Sequence, residues 1–121
     1  MPIVVERTFV VPPRDVERFE ELSRLHIWPY MEARGCKILG LFTIVHGGPN
    51  DELVLLTAYD SLAHWEATRL NRPPEEGGAQ LRELWERAAE AARERAQLTV
   101  RTHTRVLGPV TDWVDYGVRP G

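Results

Sequence analysis

One cysteine, Cys36, is all the sequence offers for thiol chemistry, so no internal disulfide can form and no thiolate cluster can hold zinc. The histidines, at positions 26, 46, 64 and 103, show neither H-x-H nor H-x-x-x-H spacing, so no metal site is expected. No apolar run approaches the roughly 20 residues of a membrane-spanning helix. No lysine–arginine block supplies the electrostatic footprint of nucleic-acid binding, and the net charge is −3. A G-x-S-x-G elbow and a Walker loop are both missing; "HGGPND" and "EEGG" are turns, since neither lies between a strand and a helix with a lysine behind it. The opening "MPIVVERTFVV" has no charged leader or cleavage site. The expectation is a cytoplasmic protein with no membrane or nucleic-acid partner and no cofactor demanded by any motif.

What is there is an ordinary globular balance, 43% hydrophobic and 27% charged over 121 residues, enough for one core. Residues 3–11, "IVVERTFVV", are β-branched and stop at Pro12-Pro13, which predicts a strand. From Arg14 to Arg34 the period changes: Val16, Phe19, Ser23, His26, Ile27 and Tyr30 form one helical stripe, ended by Gly35. Pro29 sits inside that helix, where it has no N–H to donate and clashes with the carbonyl four residues back, so a bend is expected. Strands are expected at 36–46 and 52–59, joined as a hairpin through "GGPND". In the first of these, Ile38, Phe42 and Ile44 would share one face and Leu39, Leu41 and Val45 the other. Asp60 or Ser61 can cap the helix "SLAHWEATRL". A loop at 71–78 leads to a strong helix at 79–97 with Leu81, Leu84, Trp85, Ala88 and Ala92 on one stripe and a Glu83–Arg87 pair. Residues 98–107 alternate as a fourth strand.

The order β-α-β-β-α-β is the ferredoxin-like arrangement, an α+β domain over residues 1–107, followed by an extended tail at 108–121 with Trp113 and Tyr116. Strands two and three are apolar on both faces, so helices on one side leave a greasy sheet face on the other. A two-fold homodimer stacking two such sheets into an α+β barrel would bury it.

The segments "ERTFVV", "WPYMEARGCKILGLF" and "LLTAYDSLAHWEATR" resemble NIPSNAP-domain proteins of the dimeric α+β-barrel superfamily, over roughly residues 3–107. The resemblance implies the sheet order 4-1-3-2, the homodimer, and a small-molecule site between helices and sheet. It brings little chemistry, since a shared fold is weak evidence for shared function. The superfamily includes cofactor-free monooxygenases, haem-degrading enzymes and small stress-response proteins.

Each candidate residue has a plainer reading beside the functional one. His26 is expected to face the sheet, as a general base or haem ligand in a cleft or as a buried, hydrogen-bonded core residue. Arg7, between Val5 and Phe9, needs a partner, either a structural carboxylate or an anionic ligand. Arg101, His103 and Arg105 share a face of strand four; with Arg7 they would form a basic cluster, and without it a wet or dimer-facing surface. Tyr30 could lean over the cleft, Tyr59 could orient a ligand, and Trp65 and Trp85 could line a pocket for a planar ring or simply fill the core. Cys36, opening a buried strand, reads as packing. Two principal functions remain: a small-molecule-binding protein, or a cofactor-free or haem-dependent monooxygenase-like enzyme on an aromatic or polyketide-like substrate. A purely structural assembly unit is the third.

Overall fold

The computed structural model describes residues 1–111; the expected aromatic tail contact of Trp113 and Tyr116 falls outside them. Four strands, β1 (Ile3–Val10), β2 (Lys37–Thr43), β3 (Glu52–Tyr59) and β4 (Arg101–Leu107), form an antiparallel sheet in the order β2-β3-β1-β4. Both the α+β class and the sheet order follow the sequence expectation. Four helical segments lie on one face: α1 (Val16–Leu22), α2 (Trp28–Ala33), α3 (Leu62–Ala67) and α4 (Gly78–Leu98). Among the described residues, no helix is long and apolar enough to cross a membrane.

Pro29 leaves its mark one turn upstream. Instead of one regular helix over 14–34, α1 and α2 are joined by a π turn, Ser23–Ile27, in which the Trp28 N–H bonds the Ser23 carbonyl five residues back. The widened turn accommodates a ring that would otherwise strike the Leu25 carbonyl. Phe19, Leu22, Ser23, Ile27 and Tyr30 are buried beneath this helix; His26 is only half-buried.

Cross-strand register assigns the faces. Val5 pairs with Thr57 and Val106, Arg7 with Leu55 and Thr104, Phe9 with Leu53 and Thr102, and all of these point to the helix side. The expected split of β2 is corrected here. A bulge between Ile38 and Gly40 slips the alternation by one residue. Ile38 and Leu41 therefore share the helix-side core, opposite Thr57 and Leu55, while Phe42 turns outward opposite Val54. The strand itself is shorter than expected, ending at Thr43.

The main core joins Phe9, Val11, Phe19, Leu53 and Leu55, with the Phe9 and Phe19 rings edge to face at 4.8 Å. A second cluster, Ile3, Val5, Cys36 and Tyr59, lies under α2 and α3, with Met31 and Trp65 against it. Burial pushes the Cys36 thiol up from its ordinary value near 9 to about 11. Two consequences are expected. Native Cys36 resists iodoacetamide at pH 8 while denatured protein reacts at once, as mass spectrometry would show; rapid native labelling would contradict the burial. The native state also holds this proton more tightly than the unfolded chain, so the stability it contributes below pH 9 is lost as pH rises through 11.

Ser61, rather than Asp60, caps α3, its side chain accepting the His64 N–H at 3.0 Å. The His64 ring then ties two segments together. Its Nδ1 accepts the Asp60 N–H at 3.1 Å, which leaves Nε2 to donate to the Arg34 carbonyl at 2.7 Å. Gly35, at φ 86°, lets the chain turn out of α2 beneath that ring. His64→Leu keeps the bulk but orphans the Asp60 N–H and the Arg34 carbonyl. It is expected to lower unfolding free energy by about 1–2 kcal/mol in urea titrations, and an unchanged midpoint would show that water satisfies both groups.

Candidate functional site

The helices do not cover the sheet evenly. β4 is exposed along its length, and between it, the later turns of α4 and the segment after α3 lies a cleft of about 650 Å³. That volume suits a small organic ligand. Its apolar walls come from Phe9 on β1, Leu70 after α3, and Trp85, Ala89, Ala92 and Ala96 on α4. Small side chains at 89, 92 and 96 are what leave the space, because α4 presents alanine where a packed helix would present leucine. Trp85 donates its indole N–H to the Leu70 carbonyl at 2.9 Å, so its ring is fixed rather than mobile.

Two arginines reach this cleft from opposite walls. Arg7 projects from β1, its Nε donating to the Thr102 hydroxyl at 3.2 Å. Arg95 projects from α4, is only 7% exposed, and donates from one nitrogen to the buried Ser23 hydroxyl at 3.0 Å. Both guanidiniums contact the Phe9 ring, at 4.8 and 4.9 Å from its centroid, and Arg95 also meets Phe19 at 5.1 Å. Burial and then the Arg7 charge push Arg95 down to about 9, still cationic at neutral pH. Burial, followed by the Arg69 charge, lowers Arg7 as well. Among the described residues no carboxylate pairs with either.

The residues singled out from sequence are thus divided. Arg7 and Trp85 line the cleft. Arg7 has no structural ion pair among the described residues, and it does not join His103 and Arg105, although Arg101 at the start of β4 meets the same cleft lining. Register puts Thr104 opposite Arg7, so His103 and Arg105 lie on the other sheet face, where Arg105 pairs with Glu6 at 2.6 Å. His26 does not face the sheet: it points to α4, with Nδ1 3.4 Å from Arg87, because the buried stripe runs through Ser23 and Ile27 on either side of it. Arg87 consequently leaves its expected partner Glu83, and the intrahelical pair is Arg82–Glu86 instead. Tyr30 is fully buried and accepts a hydrogen bond from Arg34 at 2.7 Å. Tyr59 and Trp65 pack in the second cluster, away from the cleft, with Arg69 stacked on Trp65 at 4.4 Å. Arg95 escaped the sequence reading. The signal was present: it lies seven residues after Ala88, on the stripe that otherwise carries apolar residues.

No protein-family model matches the sequence, and no curated protein does. Solved structures do match. A NIPSNAP family protein from Agrobacterium tumefaciens superposes with a TM-score of 0.71 at 19% identity, covering 96% of this chain and 99% of its own. The fold is that of NIPSNAP proteins. An uncharacterised NIPSNAP domain protein from Burkholderia xenovorans agrees, with a TM-score of 0.68 at 17% identity over 93% of this chain and 99% of its own. A candidate antibiotic biosynthesis monooxygenase from Nitrosomonas europaea also superposes on this chain, with a TM-score of 0.58 at 14% identity over 90% of this chain and 99% of its own. At these identities the likeness speaks for the fold alone.

Proposed function

We propose that this protein is a NIPSNAP-domain small-molecule-binding protein, working as a homodimer, with its ligand in the cleft between α4 and the sheet. The carrying observation is the cleft itself: about 650 Å³, walled by an alanine stripe on α4 and by Trp85, which is hydrogen-bonded to the Leu70 carbonyl. The dimer rests on the outer sheet face. Val4, Val54 and Leu56 are only partly covered there, and Phe42 is 48% exposed, although all four lie within strands rather than on loops. A second copy stacked on that face would bury them together and leave the cleft on the far side of the sheet.

The oxygenase-like reading comes second. A fixed aromatic wall suits a planar substrate, and a protein of the same fold is named as a candidate monooxygenase. Against it, the cleft's polar groups among the described residues are arginines, Asn71, Thr99 and Thr102, which hold and orient but do not exchange protons near neutral pH.

A native mass spectrum of freshly purified protein, set against its denatured mass, tests the binding reading. The expected result is a dimer carrying surplus mass that vanishes on denaturation, or one that gains mass on incubation with small amphipathic compounds. A monomer sinks the dimer, and a dimer that takes up no compound sinks the binding role.

A further inference from the structure

Resting on the cleft as a binding site, we infer that its ligand is an amphipathic organic anion, with an oxyanion headgroup held between Arg7 and Arg95 and a flat apolar body against Trp85 and the α4 alanines. The argument begins with an imbalance of charge. Arg95 is nine-tenths buried, and a buried cation is ordinarily paired with a carboxylate. Among the described residues its partners are one neutral hydroxyl and two aromatic faces. A guanidinium carries five N–H donors, so most of its hydrogen-bonding capacity is unspent. Arg7 compounds the imbalance by approaching the same Phe9 ring from β1, placing two like charges around one apolar side chain.

The shape of the site agrees. Both arginines lie on the cleft lining with Phe9 between them, and the Thr102 hydroxyl beside Arg7 supplies a further polar group. Away from this end Leu70, Trp85, Ala89 and Ala92 make a largely apolar wall, interrupted by Asn71 and Thr99. Arg69 and Arg93 stand at the exposed rim and add attraction for an incoming anion. A carboxylate or phosphate seated there would accept charge-assisted hydrogen bonds from both walls, in the fork geometry that arginine suits.

A matched pair of dyes tests this: anilinonaphthalene sulfonate and its uncharged analogue N-phenylnaphthylamine, titrated by fluorescence against the full-length protein and three variants. Ala92→Trp fills the cleft and is expected to abolish both signals. Arg95→Met keeps the stem and removes the charge; it is expected to weaken the sulfonate by about tenfold while leaving the neutral dye within about twofold. Arg7→Gln, at a half-buried position, is expected to act in the same direction, and it decides the question alone if Arg95→Met does not fold by circular dichroism. If Ala92→Trp changes neither dye, the cleft is not a binding site and both readings fall. If it blocks both dyes but the arginine variants treat them alike, the cleft stands and the anion inference is overturned.

Discussion

Phe9→Ala is expected to lose about 4 kcal/mol of unfolding free energy, enough to leave a domain of this size barely folded at room temperature. Phe9 is 2% exposed and sits where three things meet. It completes the main core with Phe19, Leu53 and Leu55, it forms the floor of the cleft, and its ring contacts two guanidiniums. Truncation removes the burial of a whole ring and opens a cavity next to a buried charge. The cation–π contacts add about 1 kcal/mol each to the loss. Urea titration followed by circular dichroism measures it. Phe9→Leu, which refills most of the volume without the π face, separates the two contributions: a loss of about 1–2 kcal/mol is expected there. If Phe9→Ala shifts the midpoint no more than Phe9→Leu does, the volume of the ring is not what holds this core together.

Val54→Glu is expected to convert the proposed dimer into monomers with the fold intact. Val54 lies on the outer sheet face, opposite Thr8 and Phe42, with Glu52 two residues along the same face. No cation among these neighbours can pair with the new carboxylate. In a single chain the side chain would stand in water at little cost. In a two-fold interface the charge is introduced twice and desolvated, which raises the dissociation constant by about a thousandfold or more. Sedimentation equilibrium reads the outcome. Wild type sedimenting as a monomer defeats the dimer outright, and a variant that stays dimeric moves the interface to another face.

Much of this architecture could be read from residue order. β3 begins and ends where its composition says, because "ELVLLTAY" is bounded by a turn on one side and a cap on the other. The two misplacements share a cause. Pattern reading assumes an unbroken period, and both the π turn at Ser23–Ile27 and the bulge after Ile38 interrupt one. Pro29 announced the first; nothing in "KILGLF" announced the second beyond a glycine. The site was half legible. Arg7 was found because an arginine between Val5 and Phe9 is conspicuous in a strand. Arg95 was not, because "ARERAQ" is rich in charge and an arginine there reads as solvated. His26 misled for the opposite reason, since one apolar stripe is wider than the contact it makes. Which way a side chain turns at the edge of a stripe is decided by the packing partner, here α4, which one helix's sequence does not contain.

The bulge in β2 also bears on how the chain avoids its own kind. β2 is an edge strand, and an edge offers unpaired backbone groups to any passing strand. The break at Leu39 spoils the even spacing of donors and acceptors that a growing fibril would need to copy. At the opposite edge, β4 carries Arg101 and Arg105, so a second β4 docking alongside would bring like charges together. Two different devices therefore guard the two rims of the sheet. They leave the sheet face as the route to association, and the proposed two-fold stacking would end there at two copies instead of continuing into an aggregate.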